Sequence, residues 1–530
     1  MAYIEFKIGD LRHANPSTLE KDITALGLEA EISGKNVKVD VTADRPELLS
    51  FRMLDKIIGM YNGVIKPSIR DYAYGKKTLL EIDARGAPKS RPFINGVCAE
   101  GVDLEGNELK YLLDFAEKLS DTFGRKRRKM AIGIHDLDKI SGDLIYYSGK
   151  EESFVPLGHD KAMSFEEIIK KHQKGVEYSH AVGSDYPVLR DSEKILSFIP
   201  ITNSKATMVE NSTTNLFIDL TGTDESAVRY AAELFGCVLS EMGGKIGRVE
   251  VKGNNRISTP SGSWRKVRLD SGMVSETIGI RISSLPKLLS RMGYIASGSG
   301  GKIDIAVPPY RSDIFDMSDL IEDVAIAYGY DKIIPSRIEN SPYGNADSFY
   351  GIYERISKRL IGGGFDEVIN HYLTSDEHQF DRTGRKNDGA VRLEYSKNSN
   401  FQILRTSLSP LLLSNLGGSA NDTMPHRLFE CGKVFRLENG RVVERDALCI
   451  AISHPKANVS EIKGLIDQVI GMIYGNVSID RTEDPLFIKG RCGSLIHMSK
   501  MVGIFGEVHP KVLRNFKIEE PVVCCEILIR

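Results

Sequence analysis

Apolar residues near the N-terminus recur at helical spacing. Leu19, Ile23 and Leu26 follow one another at steps of four and three residues, which places them on one face of a helix. Ser17 is expected to cap this helix, because Glu20 stands three residues later at the spacing of a capping box. The pattern therefore predicts an amphipathic helix that begins directly after Ser17.

The next patterns complete a first block at residues 1–85 and open a second one at residues 86–253. Apolar and polar residues alternate over 36–42, which predicts a strand, and a second helix is expected over 47–61. The second block mixes strand-like runs such as FINGVCAE, MAIGIHDL and LFIDLTG with a long helical segment at 225–242. Strands mixed with long helices indicate an α/β or α+β domain.

Turn-forming residues suggest where the remaining blocks begin. Asn254–Ser263 is rich in Asn, Ser, Gly and Pro and is expected to be a linker. The block at 257–337 combines a predicted helix at 283–292 with the alternating strand KIDIAV. The block at 345–530 is expected to be mostly antiparallel sheet with packed helices, and DEVINHYL is one of its strands. The fold class is therefore multidomain, α/β and α+β.

Composition is that of an ordinary globular protein. The 530 residues (58.8 kDa) suffice for about three to five domains. Apolar residues make up 41% and charged residues 27%, which excludes bulk disorder. The 70 basic and 72 acidic residues give a net charge of −2, which excludes a uniformly basic nucleic-acid coat protein but allows local basic patches.

Cysteine usage and hydropathy indicate the compartment. The seven cysteines contain no C-x-x-C pair, which argues against a zinc or iron–sulfur site and fits a reducing environment. No run of about 18 apolar residues is present, and no basic segment followed by an apolar run opens the chain. We therefore expect a cytoplasmic protein with no signal peptide and no membrane span.

A cluster of carboxylates is the sharpest local signal. Asp319, Glu322 and Asp323 stand at i, i+3 and i+4, on one face of a helix, and Asp313 lies six residues earlier in the entering loop. Such a cluster could bind a hard divalent cation such as magnesium. The spacing alone favours the simpler interpretation, acids that suit the dipole at a helix start, with Asp316 or Ser318 as the cap.

A basic run precedes one predicted strand. Five consecutive positive charges suit a phosphate backbone, although a solvated loop has the same pattern. The run consists of Arg125, Lys126, Arg127, Arg128 and Lys129. The strand that follows contains His135 and Asp136, a pair that is more often structural than catalytic.

Two polar residues stand on one face of another apolar strand. Asp219 and Thr221 in FIDLTGTD could line a pocket, while Thr223 and Asp224 are good caps for the helix that follows. The chain lacks the motifs H-E-x-x-H and G-x-S-x-G and a complete phosphate-binding loop. The sequence therefore shows no nucleophilic triad and no zinc-protease site.

Taken together, these segments resemble the beta subunit of phenylalanyl-tRNA synthetase, of the shorter archaeal and eukaryotic type. DVTADRPELLS resembles its first module. RKRRKMAIGIHDLDKI, YPVLRDSEKILSFIPITNS and NLFIDLTGTD resemble its B3/B4-type editing domain. PPYRSDIFDMSDLIEDVAIAYGYDKI is the most specific match and resembles the magnesium-binding B5-type domain. RLFECGKVF and FGEVHPKVL resemble a class II synthetase-like core domain, which here lacks the arginine-bearing catalytic motif.

The resemblance implies a partner enzyme, a phenylalanine–tRNA ligase with two alpha and two beta subunits. In that family the alpha subunit activates phenylalanine with ATP and charges phenylalanine tRNA. The beta subunit supports this reaction and hydrolyses mischarged tyrosyl-tRNA. The resemblance also implies that Asp313, Asp319, Glu322 and Asp323 hold magnesium, in a site shared with the alpha subunit.

The resemblance places the editing pocket at Ser197, Asp219 and Thr221, with Leu189 as a wall. An apolar pocket for phenylalanine rejects tyrosine only about a hundredfold, so a second, hydrolytic site is needed. We expect a water molecule to attack the ester. The sequence has Ile199 where the family often has a proline, so the local loop is expected to differ.

Two other function classes remain open. In the predicted editing enzyme, the basic run from Arg125 to Lys129 is the tRNA contact, and it would face the acceptor arm to deliver a mischarged end to the editing pocket. A non-catalytic tRNA-binding scaffold would use the same run, and would bind mischarged tRNA without hydrolysing it. A freestanding metal-dependent hydrolase would use the four carboxylates, and chelation would abolish its activity.

Overall fold

The computed structural model describes residues 2–75, 77–150, 152–183, 185–253, 255–298, 301–335, 343–396, 398–419 and 423–529. The chain divides into two compact units, Met1–Arg337 and Ile338–Arg530. Within the described ranges, no helix is long and apolar enough to cross a membrane.

The first unit opens with a small antiparallel sheet and two helices. These elements are β1 (Ala2–Lys7), α1 (Leu19–Ala25), β2 (Glu29–Ser33), β3 (Asn36–Val41) and α2 (Phe51–Tyr61). The sheet order is β1-β3-β2.

Both predicted helix starts were wrong by a few residues. Thr18, not Ser17, occupies the N-cap position of α1, while Ser17 donates to Asn15. The second helix begins at Phe51 rather than 47. A 3₁₀ turn, Pro46–Leu49, precedes it, and the Ser50 hydroxyl caps it by accepting from the Met53 N–H. Apolar spacing cannot distinguish such a turn from the first turn of a helix.

A large mixed sheet with flanking helices follows. Its elements are β4 (Thr78–Gly86), β5 (Phe93–Glu100), α3 (Glu108–Asp121), β6 (Met130–Asp136), β7 (Leu144–Ser148), β8 (Ser153–Phe154), β9 (Met163–Ser164), α4 (Phe165–Lys171), α5 (Gln173–Tyr178), β10 (Pro187–Arg190), β11 (Ile195–Phe198), β12 (Thr202–Asn203), β13 (Leu216–Gly222), α6 (Glu225–Glu241), β14 (Lys245–Lys252) and β15 (Arg256–Thr259). The strand order is β12-β11-β10-β7-β4-β14-β5-β13-β6, and β15 pairs with β14. The predicted linker at 254–263 was wrong, because Arg256–Thr259 pairs with β14 as an antiparallel hairpin.

This sheet curves until its two edges meet. Leu196 of β11 and Phe217 of β13 stand near opposite ends of the strand order, yet both belong to one apolar cluster, built mostly by strands. The side chain of Asn203 on β12 donates to the carbonyl of Ile134 on β6 at 3.1 Å. The edges therefore form a seam between β6 and β12.

The last part of the first unit shares a core with the parts before it. Its elements are β16 (Arg265–Asp270), α7 (Ser271–Ile278), α8 (Leu285–Arg291), β17 (Ile295–Ser297), β18 (Lys302–Val307) and α9 (Met317–Tyr328), with sheet order β16-β18-β17. One apolar cluster contains Ile57 of α2, Phe235 of α6 and Leu320 of α9. The three sequence blocks of this unit therefore fold around one continuous core.

The second unit is an antiparallel sheet with helices on its faces. Its elements are α10 (Ser348–Gly362), β19 (Asp366–Glu367), β20 (Leu373–Thr374), β21 (Ile403–Leu404), α11 (Ser409–Gly418), β22 (His426–Glu438), β23 (Arg441–Ser453), α12 (Val459–Ile473), β24 (Ser478–Arg481), β25 (Phe487–His497), β26 (Lys500–Val508), α13 (Pro510–Asn515) and β27 (Val522–Leu528). The main sheet has the order β19-β22-β23-β27-β26-β25-β24. The expected DEVINHYL strand is reduced to β19 and β20, which lie in different sheets.

Candidate functional site

Strand β13 presents one face to helices and the other to a small cavity. Leu216, Ile218 and Leu220 pack into the core beneath α3 and α6. The alternate residues Asp219 and Thr221 line the cavity, because successive side chains of a strand point to opposite faces. The whole strand is buried between β5 and β6.

The cavity lies at the seam of the curved sheet. It has a volume of about 30 Å³ and is lined by residues of β6, by the segment Ser197–Asn203, and by Arg127, Asp219 and Thr221. The structure therefore brings together the three predicted editing residues, although they are separated in the sequence. Leu189, predicted as a wall, does not line this cavity and packs instead in the strand-built core.

The Asp219 carboxylate occupies a tightly fitted place. It is 2% exposed and stands opposite Gly96 on one neighbouring strand and Gly133 on the other. A Cβ at Gly133 would lie 1.9 Å from Oδ2 of Asp219, so only glycine leaves room for the carboxylate. Oδ2 lies 2.8 Å from Nε2 of His135 and 3.5 Å from the Ser197 hydroxyl.

Two buried arginines lie beside the cavity, and one of them binds Thr221. Arg91 donates from Nε to the Thr221 hydroxyl at 3.0 Å and from Nη2 to the Thr221 carbonyl at 2.8 Å. Burial lowers the pKa of Arg91 to about 10, so the guanidinium remains charged at neutral pH. Arg127 is 8% exposed, and its Nε has no hydrogen-bond partner. Two cations close to one carboxylate favour an anionic ligand.

The basic run is divided between the surface and the interior. Arg125, Lys126 and Arg128 are exposed, whereas Arg127 turns inward and donates to the carbonyls of Pro200 and Ile201 at 2.9 and 3.1 Å. Its guanidinium also lies 4.0 Å from the Tyr178 ring.

The other end of the run is partly covered. Lys129 is paired with Asp224 at 3.4 Å. The run is therefore not one uniform basic surface. Arg127 belongs to the cavity wall, and its exposed neighbours are the residues free to contact a phosphate backbone.

The predicted magnesium ligands do not converge on one point. Arg311 is 4% exposed and binds both oxygens of Asp313 at 2.8 and 2.7 Å, and also Asp323 at 2.7 Å. Burial alone would raise the pKa of Asp313, but the hydrogen bonds and charge of Arg311 outweigh it and lower that pKa. Tyr294 donates to the second of these carboxylates, that of Asp323.

The other two acids serve different purposes. Asp319 accepts the N–H groups of Phe315 and Asp316 at 2.6 and 3.0 Å in a capping box, with Asp316 as the cap of α9. Glu322 is exposed beside an apolar groove that includes Ile321. In the described part of the chain, no group of three or more His, Cys, Asp or Glu side chains is arranged to hold a metal ion. As placed, these four carboxylates do not fit magnesium.

The second unit contains a larger cavity, of about 670 Å³, on its sheet. Three arginines line it, and each is paired with a carboxylate: Arg385 with Asp484, Arg436 with Asp388 and Arg445 with Glu438. These guanidinium groups are already neutralised, which leaves none of the three to bind a triphosphate.

Sequence reasoning missed Gly133, which lines the first cavity, and three side chains behind it: Arg91, His135 as the partner of Asp219, and Thr207. Arg91, Gly133 and His135 are distant from Asp219 along the chain; His135, for example, is separated from it by 84 positions. The one available signal was the run GIHD, in which Gly133 and His135 share a strand face.

Comparisons with known proteins agree with this architecture. Residues 111–242 match the B3/4 domain, residues 267–330 the tRNA synthetase B5 domain, and residues 334–529 the phenylalanyl-tRNA synthetase beta chain CLM domain. A phenylalanine–tRNA ligase beta subunit from Thermococcus onnurineus is 34% identical over 511 residues, which cover 92% of this chain and 89% of that one. The beta subunit from Archaeoglobus fulgidus is 33% identical over 525 residues, which cover 97% of this chain and 95% of that one.

A solved structure is similar to the first part of the chain. An N-terminal fragment of the phenylalanyl-tRNA synthetase beta subunit from Pyrococcus horikoshii is 32% identical, with a TM-score of 0.58. The matched region covers 62% of this chain and 99% of the fragment.

Together the matched domains define a subunit of an aminoacyl-tRNA synthetase. Within that class, the chain belongs to the phenylalanine–tRNA ligase beta subunit family, as its residues had suggested. The family name implies an alpha-subunit partner.

Proposed function

We propose that this chain hydrolyses mischarged tyrosyl-tRNA in the cavity at the seam of its curved sheet. The observation that carries the proposal is the convergence of Ser197, Asp219 and Thr221 on one buried cavity. A carboxylate can accept a hydrogen bond from the phenol of tyrosine, and phenylalanine has no group that could donate it.

The pocket must open to admit a tyrosyl group. A volume of about 30 Å³ is that of one water molecule, so a phenol ring does not fit the cavity as it stands. The segment Ser197–Asn203 forms one wall of the cavity, and its displacement would admit the ring. The buried arginines favour the anionic 3′ end of a tRNA near the same wall.

Aminoacylation itself is proposed to need the alpha subunit, in an assembly of two alpha and two beta chains in the cytoplasm. The paired arginines of the large cavity in the second unit support a non-catalytic role for that unit. Magnesium bound by Asp313, Asp319, Glu322 and Asp323 stays a prediction from the resemblance. No step of the proposed chemistry depends on it.

The test uses the chain purified with its alpha partner and supplied with tyrosyl-tRNA. Asp219→Ala and Thr221→Ala should let tyrosyl-tRNA accumulate, while phenylalanine charging persists. Arg268→Ala is a matched control, because Arg268 forms an exposed ion pair remote from the cavity. Normal clearance of tyrosyl-tRNA by both cavity variants would show that the site is wrong. Binding without hydrolysis by the unmodified complex would favour the scaffold function.

A further inference from the structure

A buried histidine stands behind the editing pocket. His135 is fully buried on β6 and does not line the cavity, yet its Nε2 lies 2.8 Å from Oδ2 of Asp219. Its Nδ1 lies 2.8 Å from the hydroxyl of Thr207, which is fully buried in the 3₁₀ turn Lys205–Thr207. The three side chains therefore form one chain of hydrogen bonds that ends at the pocket.

The direction of these hydrogen bonds follows from the donor inventory. An ionised carboxylate only accepts, so the ring nitrogen that faces Asp219 must carry a proton. In the neutral ring the other nitrogen, Nδ1, is then an acceptor, and the Thr207 hydroxyl supplies the donor. Thr207 thus selects the tautomer of His135 that donates to Asp219.

We propose that His135 and Thr207 are positioning residues that hold the Asp219 carboxylate in the orientation needed for editing. This inference rests on the proposed hydrolysis of tyrosyl-tRNA. At Oδ2, the other side-chain contact is the Ser197 hydroxyl, at the longer distance of 3.5 Å. Without the His135 N–H, a carboxylate that is 2% exposed loses its shortest contact at this atom and turns away from the pocket.

Paired substitutions separate positioning from bulk structure. Thr207→Val keeps the shape but removes the hydroxyl, and Thr207→Ser restores it. We expect Thr207→Val to slow tyrosyl-tRNA hydrolysis by the complex about tenfold, because the correct tautomer loses its donor. Thr207→Ser should stay within about twofold of the unmodified complex. His135→Gln, which retains an N–H near the position of Nε2, should be more active than His135→Leu.

A matched control tests for a general packing effect. Thr213 is also a buried threonine, and its hydroxyl donates to Asp136 at 3.0 Å, away from Asp219. Thr213→Val should leave hydrolysis unchanged, and phenylalanine charging should be normal in every variant.

The outcomes distinguish this inference from the function beneath it. Loss of hydrolysis in Asp219→Asn, with full activity in Thr207→Val and His135→Leu, overturns the positioning role and leaves the editing site standing. Equal losses in Thr207→Val and Thr213→Val also overturn it. Full activity in Asp219→Ala overturns both the site and the positioning role.

Discussion

At the scale of single residues, the editing cavity depends on a glycine as much as on its polar side chains. Asp219 can lie flat against β6 because Gly133 has no side chain at the point of closest approach. Protein interiors are packed closely enough that one added methyl group displaces its neighbours.

Gly133→Ala should therefore impair editing although it removes no polar group. The new methyl would lie 1.9 Å from Oδ2, so the Asp219 carboxylate must move. We expect tyrosyl-tRNA hydrolysis to fall by about a hundredfold, with normal phenylalanine charging. Gly86→Ala is the matched control on the same sheet, because its methyl would meet Tyr147 at an ordinary 3.6 Å. Unimpaired hydrolysis in Gly133→Ala would contradict the close fit.

Of the polar residues that line the cavity, the strand pattern indicated Asp219 and Thr221 and the resemblance indicated Ser197, whereas Asn203 was missed. Asp219 and Thr221 could be predicted because they interrupt an apolar strand at the spacing of one face. The role of His135 could not be predicted, because its sequence neighbour Asp136 was the more obvious partner. In the structure Asp136 instead accepts a hydrogen bond from Thr213. Arg91 and Thr207 have no local pattern, because their contacts depend on strand order.

At the scale of elements, the turn after α3 controls the basic run. Arg125, Lys126 and Arg127 all adopt left-handed backbone angles, with φ of 52°, 52° and 62°. This turn directs Arg127 inward and leaves its neighbours outside. The sequence showed five like charges, and only the backbone conformation divides them into two roles.

Replacing Arg125, Lys126 and Arg128 together by Ala should weaken tRNA binding and editing, because these exposed charges suit a phosphate backbone. The dependence of affinity on salt should become shallower by about 0.7–0.9 in slope for each lost phosphate contact. Thermal stability should change little, since exposed charges contribute little to folding. Filter binding across a salt series measures this, and an unchanged affinity and slope would indicate a merely solvated turn.

Element boundaries were harder to predict than element types. The strand and helix patterns were found, but part of the linker expected at 254–263, Arg256–Thr259, is the second strand of a hairpin. Its Ile257 and Thr259 pair with Val251 and Val249 of β14. Turn-forming residues mark a change of direction, and a hairpin needs one as much as a linker does.

At the scale of the whole molecule, one large apolar cluster joins the three sequence blocks of the first unit. The helix α9 contributes Leu320 to the same cluster as Ile57 of α2. Arg311 adds a charged contact beneath α9, where it forms ion pairs with both Asp313 and Asp323.

Arg311→Met should destabilise the first unit by about 3–5 kcal/mol, because it removes the positive charge beside the buried Asp323 and the half-buried Asp313. The one tryptophan of the chain, Trp264, packs against the core of this unit, so its fluorescence reports thermal unfolding there. Arg268→Met, which removes an exposed ion pair of the same block, should have little effect.

The same thermal unfolding measurement can be repeated after magnesium is removed by a chelator. Chelation should not lower the unfolding temperature of the unmodified chain, because Arg311 already supplies the neutralising charge. A clear drop on chelation would instead favour a bound ion at these acids in the free chain.

Strand β13 contributes to both the core and the cavity, and this limits how the site can evolve. Leu216, Ile218 and Leu220 fill the core beneath the helices, and Asp219 and Thr221 line the cavity. Inserting or deleting one residue within Leu216–Gly222 would exchange the two sets, burying Asp219 under the helices and exposing leucines to the pocket. Lineages can therefore alter specificity here only by substitution, and changes of length must be confined to the flanking loops.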